Sequence, residues 1–170
     1  MKTLTLLRHA KSSWEAPALG DLERPLNARG RETALAMGRE MARLALAFDR
    51  VLASPATRVA ETLDGLAEAG LAIAPDHDRR LYLASARTLL DIVRAADDRH
   101  GRLLIVGHNP GLPELALLLA RAGPLRDAVA AKYPTGALAE LRLDAARWRD
   151  IAAGGGALTR FIRPRDLDPV

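Results

Sequence analysis

The sequence contains no cysteine. This absence excludes a disulfide framework, a cysteine-ligated zinc or iron–sulfur centre and a cysteine nucleophile. Long apolar segments are also missing: nowhere do about 18 consecutive apolar residues occur, so the sequence predicts no membrane span. The apolar stretch near the start of the chain is interrupted by Arg8 and His9, too early for the hydrophobic region of a signal peptide. We therefore expect a soluble, cytoplasmic protein.

Aromatic residues and lysines are scarce. Aromatics make up 4% of the chain, and three of its 25 basic residues are lysines, so the other 22 are arginines. The formal net charge is +4. Nucleic-acid surfaces interleave basic and aromatic side chains, whereas the charges here are scattered singly along predicted helices, as at Arg31, Arg39 and Arg43. This pattern is typical of solvated faces and predicts no nucleic-acid partner, so we expect a smaller anion instead.

The remaining composition is that of an ordinary globular protein. Hydrophobic residues make up 49% and charged residues 27% of the 170 residues, which excludes disordered and low-complexity classes. No linker or internal repeat divides the chain. We therefore expect residues 1–170 to form a single domain.

Short apolar runs alternate with longer segments of helical period. The predicted strands are Lys2–Leu7, Arg50–Ala53, Arg102–Val106 and a closing pair at Ala137–Leu143 and Arg147–Ala152. The predicted helices are Asn27–Phe48 with Asn27 as N-cap, a helix opened by Ser54-Pro55 and running to Ala69, Ser85–Ala96 and Pro110–Ala120. Loops are predicted at Pro75–Arg80 and at Gly154–Gly156, where no Lys-Ser/Thr follows to make a phosphate loop. This alternation predicts an α/β three-layer sandwich with a mostly parallel central sheet flanked by helices.

Histidine and arginine residues follow three of the predicted strands. Arg8 and His9 end the first strand, Arg58 lies in the first turn after the second, and His108 follows the Arg102–Val106 strand. In open α/β sheets ligands bind at the carboxyl edge of the strands, and helix N-termini there favour anions. Two guanidinium groups and two imidazoles at one edge are suited to holding a tetrahedral oxyanion such as phosphate.

The residues around these positions resemble a known family. The opening stretches Leu7–Trp14 and Asp21–Gly30, then Ser54–Thr62, then Val106–Pro110, are similar to three successive motifs of the histidine phosphatase superfamily, and Tyr133–Gly136 is similar to its SixA-type phosphohistidine phosphatase branch. The superfamily usually has glycine after the first histidine, where this chain has Ala10, and alanine is commoner where this chain has Val59. Three motifs in order, each at a strand end, make the resemblance specific.

The resemblance implies a phosphoglycerate mutase-like fold and a covalent mechanism without cofactor or metal. His9 would attack phosphorus and form a phosphohistidine intermediate that water hydrolyses. Arg8, Arg58 and His108 would hold the non-bridging oxygens in the transition state. A neutral imidazole is a competent nucleophile at cytoplasmic pH, and neighbouring cations keep it unprotonated.

Several residues near the motifs have two possible roles. We predict that Lys11, Asp21 and Asn109 contribute to substrate binding, but Asp21 could instead pair with Arg24 and order the loop, and Asn109 could cap the helix at Pro110. Taken alone, Arg58 is better explained by a surface ion pair, for example with Glu61 three residues along the helix. His77 and His100 are predicted to be structural or solvated, and Trp14 could dock a partner or cover the core.

We expect a metal-independent phosphatase that acts on phosphohistidine carried by a partner protein, for example a phosphotransfer domain. A chain of this length leaves little material for a lid, and an open site suits a protein-borne phosphate. The alternatives are a phosphomonoesterase for a small phosphorylated metabolite and a non-enzymatic phosphate-binding or phosphoryl-carrier module. The stretch Arg79–Ala84 contains no acid, and Asp76 and Asp78 are its nearest carboxylates. The sequence therefore predicts a preference for leaving groups that need no proton.

Overall fold

The fold is built around one mixed β-sheet. A computed structural model describes residues 1–168. Within that range six strands pair in the order β3-β2-β4-β1-β5-β6. Their bounds are β1 (Lys2–Arg8), β2 (Arg50–Ala53), β3 (Pro75–His77), β4 (Arg102–Gly107), β5 (Leu138–Leu143) and β6 (Gly156–Ile162). Each pair of neighbours among β3, β2, β4 and β1 is parallel. Strand β5 is antiparallel to both of its neighbours, β1 and β6. The predicted mostly parallel sheet is confirmed.

Helices cover both faces of the sheet. They are α1 (Ala28–Arg43), α2 (Thr57–Glu68), α3 (Ala86–Arg94), α4 (Gly111–Leu119) and α5 (Pro124–Ala131). Helices α1 and α2 pack together, and α4 packs against α3 and α5. The predicted three-layer arrangement is confirmed. No helix within residues 1–168 is long and apolar enough to cross a lipid bilayer.

Successive side chains of β4 contribute to two hydrophobic clusters, one on each face of the sheet. Leu103 and Ile105 belong to the cluster that includes α3 and α4, whereas Leu104 and Val106 belong to the cluster that includes α1 and α2. All four side chains are fully buried. Successive side chains of a strand point to opposite faces, so a strand covered by helices on both sides must be apolar throughout.

The predicted helix boundaries need two corrections. Helix α1 ends at Arg43 rather than Phe48, because the chain turns at Ala45, which has a φ of 53°. The predicted cap at Ser54 is also wrong: α2 begins at Thr57, and the Ser54 backbone N–H still donates to Val106 O at 3.1 Å, which extends the pairing of β2 with β4. Ser54 therefore remains at the strand end, where its Oγ accepts from the backbone N–H of Ala56 at 3.3 Å.

Three further elements differ from the sequence prediction. Pro75–His77 is an edge strand rather than loop, since its backbone pairs with β2. Arg147–Ala152 is not the partner of β5: the fully buried Trp148 lies there in a short 3-10 helix, and β6 pairs with β5 instead. Helix α5 was not predicted, although Gly123-Pro124 is a typical helix opening.

Candidate active site

Three strand ends bring the predicted residues together. Strands β2, β4 and β1 are adjacent and parallel, so the segments that follow them meet at one edge of the sheet. His9, Arg58 and His108 are buried there, and the ring centroids of His9 and His108 lie 5.3 Å apart. An open cleft of about 570 Å³ begins at these side chains. It is lined by Arg8, His9, Lys11, Ser12, Trp14, Asp21, Arg24, Arg58, Leu83, His108, Asn109, Lys132, Pro134 and Thr135.

The orientation of the His9 ring is fixed by two contacts. Its Nδ1 lies 2.7 Å from the carbonyl oxygen of Ala10, which can only accept, so Nδ1 carries the proton. The lone pair of Nε2 consequently faces the side chain of Arg58, whose Nε–H donates to it at 3.3 Å. The arrangement leaves the imidazole neutral, with its unprotonated nitrogen beside a guanidinium group.

Arg58 connects the two histidines to the loop that follows β1. Its Nη2 donates to His108 Nδ1 at 3.4 Å and to Asp21 Oδ2 at 3.0 Å, and its Nη1 donates to the Asp21 carbonyl at 2.6 Å. Arg58 is 2% exposed, and the one salt bridge that it forms within residues 1–168 is with Asp21. The suggested ion pair of Arg58 with Glu61 is therefore wrong. Glu61 instead accepts from the backbone N–H of Leu26 at 2.6 Å.

His108 is held by a residue that sequence reasoning assigned to another role. With Nδ1 accepting from Arg58, the Nε2–H of His108 donates to Ser54 Oγ at 2.7 Å. Ser54 itself is fully buried at the end of β2. Its position directly after a predicted strand was the available signal, but the Ser-Pro pair also matches a helix opening, which favoured the capping interpretation.

Burial and positive charge lower the basicity of both imidazoles. Burial is the largest cause that lowers the pKa of His9 to about 3, and His108, Arg58 and Arg8 lower it further. Burial followed by Arg58 lowers the pKa of His108 to about 4. Both rings are therefore neutral at neutral pH, which preserves the lone pair on His9 Nε2.

Asp21 is the one carboxylate among the lining residues of the cleft, and it is bound by three side chains. It accepts hydrogen bonds from Tyr82 Oη, from Arg24 Nη2 at 3.1 Å and from Arg58. The Tyr82 hydroxyl, followed by Arg24 and Arg58, holds the pKa of Asp21 well below its usual range. The predicted Asp21–Arg24 pair is present. Asp21 is thus ionised at neutral pH and forms a salt bridge with Arg58.

The other predicted binding residues surround the same cleft. Arg8 Nη1 and Asn109 Nδ2 both donate to the carbonyl oxygen of Tyr133, at 3.1 and 2.9 Å. Arg8 Nε and Asn109 Oδ1 are buried without a hydrogen-bond partner in the described part of the chain. Asn109 does not cap α4, whose N-cap is Pro110. Lys11 is exposed at the wall of the cleft.

Two contacts fix the loop that carries His9. The Thr62 hydroxyl accepts from the backbone N–H of Ala10 at 3.0 Å and donates to the carbonyl of Arg58 at 2.7 Å, so it links both site segments. Gly30 of α1 lies against the same loop: a Cβ there would stand 2.0 Å from the carbonyl oxygen of Lys11. Ala10 is fully buried beside Leu26 and Ala34, so the extra methyl relative to glycine is accommodated by packing.

The remaining candidates lie outside this group. Trp14 does not cover the core: it is 77% exposed at the rim, with its ring 3.8 Å from the Arg24 guanidinium. The ring of His77 contacts the Ser54 carbonyl at 3.3 Å, and His100 lies beside Arg99. Asp76 and Asp78 pair with Arg50 and Arg80 and do not line the cleft. Within residues 1–168 no three His, Asp or Glu side chains are grouped so as to hold a metal ion.

Comparison with known proteins identifies the class to which this site belongs. Residues 4–82 match the model of the histidine phosphatase superfamily, branch 1. An uncharacterized protein of Mycobacterium tuberculosis is 39% identical over 164 residues, which cover 94% of this chain and 100% of the relative. The chain belongs to the histidine phosphatase superfamily.

Solved structures narrow the class. SixA of Nakamurella multipartitia superposes with a TM-score of 0.83 and 28% identity, covering 96% of each chain. SixA of Agrobacterium tumefaciens gives a TM-score of 0.82 and 28% identity, covering 96% of this chain and 98% of the other. The protein therefore has the phosphoglycerate mutase-like fold and lies in the SixA-type branch of the superfamily, as the motifs predicted.

Proposed function

We propose that the protein is a phosphohistidine phosphatase that acts on a partner protein through a covalent intermediate on His9. The lone pair of His9 Nε2 attacks phosphorus as the bond from phosphorus to the substrate's imidazole nitrogen breaks. Water then attacks the phosphorylated His9, which releases phosphate and restores the neutral ring. Arg8, Arg58 and His108 line the same cleft as His9. The guanidinium groups of Arg8 and Arg58 would stabilise the charge of the five-coordinate transition state, and His108, whose Nδ1 accepts from Arg58, would help to position that guanidinium. Guanidinium groups supply the positive charge, so the proposal needs no metal.

The ionisation of Asp21 is the observation that favours one class of substrate over another. It is the one carboxyl group among the lining residues, and hydrogen bonds from Tyr82, Arg24 and Arg58 keep it ionised. An alkoxide leaving group needs a proton in the transition state, and this cleft offers no carboxylic acid to give one. Phosphohistidine can carry a proton on its second ring nitrogen and depart as neutral imidazole. This favours a phosphoramidate over a sugar or serine phosphate.

The shape of the cleft favours a macromolecular substrate. Trp14 and Leu83 stand at its rim and are 77% and 54% exposed. Small-molecule sites usually enclose most of the ligand, whereas exposed apolar side chains around an opening are typical of protein contacts. The two SixA structures are described by name as phosphohistidine phosphatases, which agrees with such a substrate.

The deciding experiment compares phosphate release from a phosphohistidine-bearing protein with release from sugar and serine phosphates, with and without EDTA. We expect release from the first substrate alone, unaffected by the chelator and inhibited by orthovanadate. His9→Ala should remain folded, lose turnover and fail to acquire acid-labile label from the substrate. Full turnover by His9→Ala would refute the mechanism. Preference for a sugar phosphate would indicate the metabolite esterase, and a label that persists for many minutes would indicate a phosphoryl carrier.

A further inference from the structure

A second depression opens from the side of the cleft. It has a volume of about 290 Å³ and shares Lys11, Lys132, Pro134 and Thr135 with the cleft. Its other lining residues are Arg29 and Thr33 of α1 and the segment Arg163–Arg165 that follows β6. We call this depression the basic groove, because five of its lining residues are lysine or arginine and none is acidic.

Most of the positive charge in the basic groove is not neutralised. Lys11, Arg29, Lys132 and Arg165 are exposed and form no salt bridge within residues 1–168. The nearby carboxylate of Asp166 is bound by Arg163, at 2.8 and 3.0 Å. Like charges held close together repel one another, so such a cluster is costly unless an anion accompanies it. The groove is therefore a surface suited to a negatively charged ligand.

The groove does not have the form of a site for a small anion. Its cations are exposed, whereas sites for small molecules enclose the ligand and hold it with buried polar groups. Beyond Arg29 and Arg165 the depression continues into a wider one of about 620 Å³, which reaches Arg39 and Leu167 and is also lined by Glu32 and Asp168. The charged residues of the basic groove itself are all basic. A row of exposed cations that begins at the cleft fits an extended acidic segment better than a single phosphate.

We propose that the basic groove binds an acidic segment of the protein whose phosphohistidine enters the cleft. This inference rests on the proposed function, because it assigns the partner's surface chemistry at the same site. Attraction between a basic path and an acidic segment raises the rate of association and is screened by salt. The groove should consequently change kcat/KM for acidic protein substrates without changing turnover of a small phosphoramidate.

The test uses two phosphohistidine peptides of equal length, one with aspartate and glutamate flanking the histidine and one with asparagine and glutamine there. The variant is Arg29→Glu/Arg165→Glu, two exposed residues that line the groove but not the cleft. The control Arg142→Glu/Arg149→Glu makes the same charge change elsewhere: Arg142 faces Thr3 near the opposite end of β1, and Arg149 lies in the 3-10 helix at Trp148.

At low ionic strength the unaltered protein should prefer the acidic peptide about ten-fold in kcat/KM, and the preference should vanish at about 0.5 M salt. The groove variant should lose the preference while keeping its rate on phosphoramidate, and the control variant should keep both. Equal kcat/KM for the two peptides, or an unchanged preference in the groove variant, would overturn this inference and leave the proposed function intact. Failure to hydrolyse either peptide, with good activity on metabolite esters, would instead refute the proposed function on which it depends.

Discussion

The two buried histidines should make the folded state sensitive to mild acid. Folding lowers the pKa of His9 from 6.5 to about 3 and that of His108 from 6.5 to about 4. At a pH below 6.5 but above the folded-state pKa, each ring is protonated in the unfolded chain and neutral in the folded chain. The free energy of unfolding is therefore highest above pH 6.5 and falls as the pH decreases. Protonation of each ring in the unfolded chain should make the free energy of unfolding about 2 kcal/mol lower at pH 5 than above pH 6.5.

Urea unfolding at pH 7, 6 and 5 measures this loss directly. His9→Gln and His108→Gln should each remove about half of the decrease between pH 7 and pH 5, since glutamine does not titrate. If the unaltered protein and His9→Gln lose the same free energy over this range, the imidazole of His9 is not held neutral by its surroundings and the reasoning fails.

Three further predictions concern the support of the site and its chemistry. Gly30→Ala should lower the free energy of unfolding by about 1–3 kcal/mol and should lower kcat, because its Cβ would overlap the Lys11 carbonyl. In the control Gly101→Ala the nearest atom would be 3.5 Å from the new Cβ, so neither quantity should change. Urea unfolding and turnover assays measure the two effects. Thr62→Val should cost about 1–3 kcal/mol and Thr62→Ser much less, because serine keeps the hydroxyl that accepts from Ala10. Across substrates of graded leaving-group pKa, kcat/KM should rise steeply as that pKa falls. Strong activity on alkyl phosphates would show that the site contains a general acid and would contradict this prediction.

The sheet and the meeting of the three motifs could be predicted from sequence because both depend on local patterns. An apolar run such as Arg102–Val106 is suited to a strand covered on both faces, and parallel strands bring the residues that follow them to one edge. The antiparallel partner of β5 could not be predicted in the same way. Both Arg147–Ala152 and Gly156–Ile162 contain apolar residues, and the burial of Trp148 against the core decides which of them pairs.

The contacts within the site were harder to predict because they join residues far apart in sequence. Asp21 and Tyr82 are separated by 61 positions, and their hydrogen bond depends on how the loop after β1 folds back over α2. The inward turn of Arg58 could not be separated by spacing alone from a surface pair with Glu61, since both lie on α2 three residues apart. Tertiary packing buries Arg58 and decides between them.

The hydrogen bonds between Arg58 and Asp21 affect how strongly the site can bind an anion. A phosphate group that approaches His9 meets a guanidinium whose Nη1 and Nη2 are both bonded to Asp21. Asp21 thus competes with any entering anion for the guanidinium of Arg58. Because it belongs to the same chain, it does so at a high effective concentration. Such competition weakens the binding of product and substrate alike. In the proposed mechanism, weaker binding of inorganic phosphate at Arg58 would speed its release after each cycle.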